Sequence, residues 1–193
     1  MKTMKIVMSV GAVVVLASCA SPGPTREETM QVVKSSFKER GIAKLDRLNQ
    51  SELQQFCSDA ALNNKDLPKD VRERLEKQQM ATIKYPADGK LMGDWKNGEK
   101  VFTDPKRGNC YACHQGDPRE VAYGTMGPSL TGYGQRGLSE AVVRYTYEKI
   151  YNAWAFVPCS LMYRGGVHGY FTPEETADLV AYLLSPESPI NRR

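Results

Sequence analysis

Near its start the chain carries a block of apolar residues, and beyond it the apolar positions fall at helical spacing. Ile6 to Ala17 is a largely apolar stretch behind a basic head of Lys2 and Lys5. It is shorter than the roughly 20 residues needed to span a bilayer, so residues 1–18 read as an export signal peptide. Thr25 with Glu28 makes a capping box, followed by Met30, Val33 and Phe37 on one face and a stop at Gly41. Ser51 with Gln54 opens a second helix, with Leu53, Phe56, Cys57 and Ala60 inward. Pro68 suits the first position of a third, which carries Val71, Leu75 and Met80. Tyr85 to Gly89 reads as a linker.

From Leu91 the texture changes, and most of the glycine and aromatic residues lie beyond it. The pattern predicts a short helix from Asp94 to about Thr103, closed by Asp104-Pro105. A second runs from Ser139 to about Trp154, with Val143, Tyr147, Ile150, Tyr151 and Trp154 at helical spacing. The last has the strongest boundary signals: Thr172 as cap, Pro173 first, Glu175 closing the capping box and Pro186 as stop. Leu179, Val180 and Leu183 form its buried stripe, extended one turn earlier by Thr176. No alternating strand pattern is found. The expected fold class is all-α, organised as a leader (1–18), a helical extension with linker (19–90) and a main domain (91–193).

Composition narrows the function classes. The formal charge of +4 falls to +2 when Lys2 and Lys5 leave with the leader, which gives no reason to expect nucleic-acid binding. The closing Arg192-Arg193 pair reads as a solvated tail. Two processing routes compete at the leader. Leu16-Ala17-Ser18-Cys19 resembles a lipobox, with lipid on the Cys19 thiol, while Ser18-Cys19-Ala20 has the small residues an ordinary signal peptidase accepts. Nothing after the leader is apolar for long enough to form a membrane helix, so any membrane contact is expected through a lipid anchor at Cys19.

Cys110-Tyr111-Ala112-Cys113-His114 carries the chemistry. Two thiols three residues apart can add to the two vinyl groups of one haem, and the adjacent histidine then reaches the iron as an axial ligand. A zinc half-site would need a second ligand pair at suitable spacing, which is missing. A thiol redox pair would need a βαβ context that the flanks do not supply. One covalent haem c is the expected cofactor. Thioether attachment of this kind takes place outside the bacterial inner membrane, so leader and motif agree on a periplasmic location. Cys57 and Cys159 remain once the haem and leader cysteines are set aside, and in an oxidising compartment an even remainder favours a disulfide over one buried free thiol and one free or partner-linked thiol.

Short helix, haem motif, loop, helix, loop and terminal helix is the order of a class I cytochrome c, and residues 91–185 resemble that family. Gly98, Val101 and Phe102 resemble the first helix of that fold, and Val180 to Leu183 resemble the surface it crosses on the last. Gly127-Pro128-Ser129-Leu130 resembles the stretch behind the proximal histidine, where the resemblance implies that the Pro128 carbonyl accepts a hydrogen bond from the His114 ring. It also implies that Met162, in a glycine-flanked loop before the terminal helix, is the distal ligand. His168, the second of two histidines, is its rival. Met126 lies too near the proximal turn for this role, and Met80 and Met92 read as packing residues.

Within that family, Cys159 to Arg164, Gly169 to Thr172 and Asp178 to Leu184 are similar to SoxX, the monohaem subunit of the SoxXA cytochrome complex of thiosulfate oxidation. One departure is Tyr163, where the family commonly has proline after its ligand methionine. The resemblance implies a heterodimer with a SoxA-type cytochrome of one or two haems. That complex joins thiosulfate to a cysteine of the SoxYZ carrier, and this chain would pass the released electrons to a downstream cytochrome c or oxidase. Two alternatives stay open: a stand-alone monohaem shuttle, periplasmic or lipid-anchored, and a ligand-binding haem protein if Met162 does not bind iron.

Overall fold

The structure is a computed structural model that describes residues 23–41 and 44–192. The predicted leader and Cys19 lie outside the described residues. The described residues divide into two compact units, one ending at Asn49 and one beginning at Gln50. Helices expected to belong to the extension therefore share the second unit with the main domain.

The first unit holds α1 (Arg26–Ser36), opened by the Thr25/Glu28 capping box: Glu28 N donates to Thr25 Oγ1 at 3.2 Å and Thr25 N to Glu28 Oε2 at 2.7 Å. No residue of α1 is buried, and Phe37 lies outside the helix and exposed, so the Met30, Val33 and Phe37 stripe has no core behind it. The helix stops at Ser36 rather than Gly41. The hydroxyls of Ser35 and Ser36 both donate to Val32 O, at 3.0 and 2.7 Å, and compete with continued helix.

In the second unit, α2 (Glu52–Leu62) starts from the Ser51/Gln54 capping box and buries Leu53. The third helix, α3 (Lys69–Met80), begins one residue later than its proline predicts. Pro68 stays extended (φ −52°, ψ 144°) and only its carbonyl joins the helix, accepting from Arg72 N at 2.9 Å. Leu75 is its fully buried anchor. At the start of the segment expected as a linker, Tyr85 Oη donates to Glu148 Oε1 at 2.7 Å, and just before it Lys84 O accepts from Tyr147 Oη at 2.7 Å.

The core forms where α4 (Trp95–Thr103) crosses α6 (Pro173–Leu184), with α5 (Glu140–Tyr151) against α6. Val101 and Phe102 of α4 meet Leu179, Val180, Tyr182 and Leu183 of α6, and Tyr147, Ile150 and Tyr151 come from α5. The approach is close because Gly98 has no side chain: a Cβ there would lie 2.0 Å from Asp178 O. Asp94, the cap of α4, ties the same crossing, its N–H donating to Asp178 Oδ1 at 2.7 Å.

Helix α5 ends at Tyr151, short of the predicted Trp154. Asn152 leaves helical geometry (φ −146°, ψ 93°) because its fully buried side chain has partners elsewhere. Its Nδ2 donates to Gln79 O and Oε1, both at 3.1 Å, and to Thr82 Oγ1 at 2.8 Å. A 3-10 turn, Ala153–Ala155, follows. No strand occurs among the described residues.

Candidate functional site

Behind α4 the chain makes two tight turns that aim three side chains into one space. Asn109 takes the left-handed conformation (φ 45°), which a short polar side chain tolerates, and opens a 3-10 turn at Cys110–Ala112. Cys113 N and His114 N both donate to Cys110 O, at 3.1 and 2.9 Å, so the motif is wound on a single carbonyl. The next loop returns beneath it: Gly127 N donates to Cys113 O at 2.8 Å and Leu130 N to Gln115 O at 2.8 Å.

His114 Nδ1 stands 2.7 Å from Pro128 O. A carbonyl oxygen only accepts, so Nδ1 carries the proton and Nε2 keeps its lone pair. This is the tautomer a metal-binding imidazole needs.

Cys110, Cys113, His114, Pro128, Leu130 and Met162 all line one cavity of about 520 Å³. That volume is within the roughly 300–1,000 Å³ range of small-molecule and cofactor sites. Phe102, Ile150, Leu179 and Leu183 make its walls apolar. Desolvation pushes the Cys110 thiol up to about 12, with the neighbouring Cys113 adding to the effect. Two cations, Arg136 and Lys149, also border the cavity, and burial holds the Lys149 ammonium below its ordinary pKa. Two thiols, a lone-pair nitrogen, a thioether, apolar walls and two cations fit a porphyrin with two carboxylate tails.

Among the remaining candidates, Met126 reaches the rim but is 67% exposed, and His168 is exposed and outside the cavity lining, its N–H donating to Arg164 O at 3.0 Å. Met80 and Met92 are also outside the lining, with Met92 packed against the core. Met162 sits in a loop fixed at several points. Its N–H donates to Ser160 Oγ at 3.1 Å, and the phenol of Tyr163 donates to Gly108 O, two residues before Cys110. Cys57 of α2 and Cys159 are disulfide-bonded, with Cα atoms 5.5 Å apart. Sequence reasoning missed Arg136, Lys149 and the Tyr163 hydrogen bond, because each depends on packing between distant segments.

The family model for cytochrome c matches residues 95–186, the region that builds this cavity. The fold is that of a class I cytochrome c. The cofactor of such a domain is covalently bound haem c, one being typical. An uncharacterized lipoprotein of Aquifex aeolicus (strain VF5) is 53% identical over 129 residues, 60% of this chain and 61% of the relative. The chain thus spans about three fifths of that relative's length. Among the described residues no helix is long and apolar enough to cross a membrane.

Proposed function

We propose that this chain is an exported one-electron carrier whose haem is bonded through Cys110 and Cys113 and ligated by His114 and Met162. One observation carries the reading: all four residues line a single apolar cavity, with the proton of His114 held on Nδ1 by Pro128. When bound, the haem supplies one-electron chemistry between ferrous and ferric iron. The chain's own residues do the rest. Pro128 fixes the imidazole tautomer, the walls of Phe102, Ile150, Leu179 and Leu183 exclude water, and Arg136 and Lys149 offer positive charge to the carboxylate tails. A site closed by histidine and methionine leaves no open position for a substrate, so the chain alone carries electrons and transforms nothing.

Its place is that of the SoxX subunit in a SoxXA-type L-cysteine S-thiosulfotransferase. There a SoxA-type partner couples thiosulfate to a SoxYZ cysteine, and this chain relays the two released electrons singly to a cytochrome or oxidase. The sequence around Met162 supports this reading, as does a site built for electron transfer without substrate chemistry. A second reading, a lipid-anchored shuttle acylated at Cys19, is favoured by the lipobox-like Leu16-Ala17-Ser18-Cys19 and by a relative named a lipoprotein.

Purification of the tagged chain from its native host separates the two. Recovery of a larger haem-containing partner, with haem reduction driven by thiosulfate and the carrier, supports the subunit. Recovery of an acylated monomer without thiosulfate-driven reduction supports the shuttle. Loss of all colour from denatured, acid-acetone-treated protein overturns both.

A further inference from the structure

Trp154 stands in the turn Ala153–Ala155, beside the loop that carries Met162. Its indole Nε1–H donates to Ser160 O at 2.9 Å, and the hydroxyl of the same serine accepts the Met162 N–H at 3.1 Å. On the far side of the methionine, the guanidinium carbon of Arg164 lies 4.0 Å from the Trp154 ring centroid. One indole therefore grips the loop two residues before and two residues after Met162, by its edge and by its face.

The grip is closed into a ring of contacts. Asn152 Oδ1 accepts from Trp154 N at 3.1 Å, and Asn152 Nδ2 donates to Gln79 Oε1. The same Gln79 oxygen accepts from Arg164 Nη1 at 3.0 Å. The Arg164 Nε–H is buried without a hydrogen-bond partner. The stacking on Trp154 and the bond to Gln79 are thus what hold this side chain in place, at a site where a bare guanidinium is costly.

We propose that Trp154 is the positioning residue for the distal thioether, acting through Ser160 and Arg164 to keep Met162 at the cavity in both oxidation states. The inference rests on the assignment of Met162 as an iron ligand. A thioether is a weak, neutral donor, and it competes with hydroxide and with nitrogen ligands as pH rises. Restraining the loop favours the methionine-bound form without touching the iron. The effect is local, because the indole meets the loop through Ser160 and Arg164 and lies outside the residues that line the cavity.

The test uses the holoprotein and follows the methionine-to-iron charge-transfer band of the ferric form against pH, together with the reduction potential. Trp154→Phe keeps an aromatic ring for Arg164 and removes the indole N–H together with one ring of the bicycle. The midpoint for loss of the band is expected to fall by roughly half a pH unit to one unit, the equivalent of one hydrogen bond removed from the methionine-bound form. Trp154→Leu removes both contacts and is expected to give a larger fall, a lower potential and carbon monoxide binding to the ferrous protein. Where Trp154→Leu does not mature, Trp154→Phe alone decides. Unchanged midpoint and potential in Trp154→Phe, with the band intact, overturn the proposal. A wild-type protein lacking the band at every pH instead overturns the ligand assignment, and the proposal with it.

Discussion

A Cβ placed on Gly127 would lie 2.2 Å from Cε1 of His114, so the imidazole rests directly against a bare α-carbon. The absence of a side chain there and the hydrogen bond to Pro128 one residue later set the ring from two sides. Gly127→Ala is therefore expected to push the ring off its Pro128 partner. The expected outcome is a shifted haem spectrum, poorer haem loading and a stability loss of about 1–3 kcal/mol, typical of overpacking. Absorption spectra and thermal unfolding of the purified variant check this.

The crossing of α4 and α6 has the same character on a larger scale. Gly98→Ala would set a methyl 2.0 Å from the Asp178 carbonyl, which belongs to rigid backbone. The expected cost is at or above the top of the overpacking range, about 3 kcal/mol, lowering Tm by roughly 6–12 °C. Unchanged Tm would show that the helices separate without penalty.

Removing the Cys57–Cys159 bridge, which joins residues 102 apart, is expected to cost up to about 4–5 kcal/mol in the chain-entropy model. Because Cys159 lies three residues before Met162, the paired Cys57→Ser and Cys159→Ser variant is also expected to bind carbon monoxide more readily when reduced. Denaturant melts with and without a thiol reductant measure the first effect. Wild type and variant should then coincide in reductant.

The ion pair of Arg107 with Glu175 gives a pH signature. The hydrogen bond from Arg107 holds the Glu175 carboxyl below its ordinary pKa of 4.5, against a smaller opposing effect of burial. A depressed carboxyl stabilises the fold above that ordinary value and ceases to do so as pH falls through the folded-state pKa. Arg107→Gln should thus be less stable than wild type at pH 7, with the gap closing below about pH 4. A gap constant from pH 7 to pH 2 would assign the effect to packing instead.

Alkaline stability follows from buried phenols. Burial raises the pKa of Tyr147, Tyr163 and Tyr182. A raised phenol keeps its full contribution below the unfolded value of about 10 and loses it as pH climbs toward the folded value. Stability is therefore expected to hold to about pH 10 and then decline, more gently in Tyr163→Phe, as read by pH-jump unfolding.

Where the sequence was informative, the information was local. The boundaries of α6 follow from Thr172, Pro173 and Glu175, which satisfy the first turn by themselves. The haem motif is equally self-contained, because Cys110, Cys113 and His114 are wound on one carbonyl. The misjudged ends have competing partners: Ser35 and Ser36 bond back to Val32, and Asn152 leaves α5 for Gln79 and Thr82, some 70 residues away. Lys149 and Arg136 carry no local pattern, and Trp154 reads only as an apolar helix position, since their roles arise when distant segments meet around the cavity and the Met162 loop. The extension expected over 19–90 read as an appendage because its first part is charged, yet residues 50–90 share a compact unit with the main domain, joined to it by the Cys57–Cys159 bridge and by the Gln79 and Thr82 bonds to Asn152.

The bridge between Cys57 and Cys159 also sets a sorting problem for biogenesis. Cys19 aside, the chain carries four thiols, and on the proposed haem attachment Cys110 and Cys113 must stay reduced to add across vinyl groups while Cys57 and Cys159 are oxidised. Four cysteines can pair in three ways, and every one engages Cys110 and Cys113, two by crossing them to Cys57 and Cys159 and one by joining them to each other. Stitching the porphyrin first leaves Cys57 and Cys159 only each other among these four, so on the proposed function the order of the two covalent events sets how much of the chain becomes a working carrier.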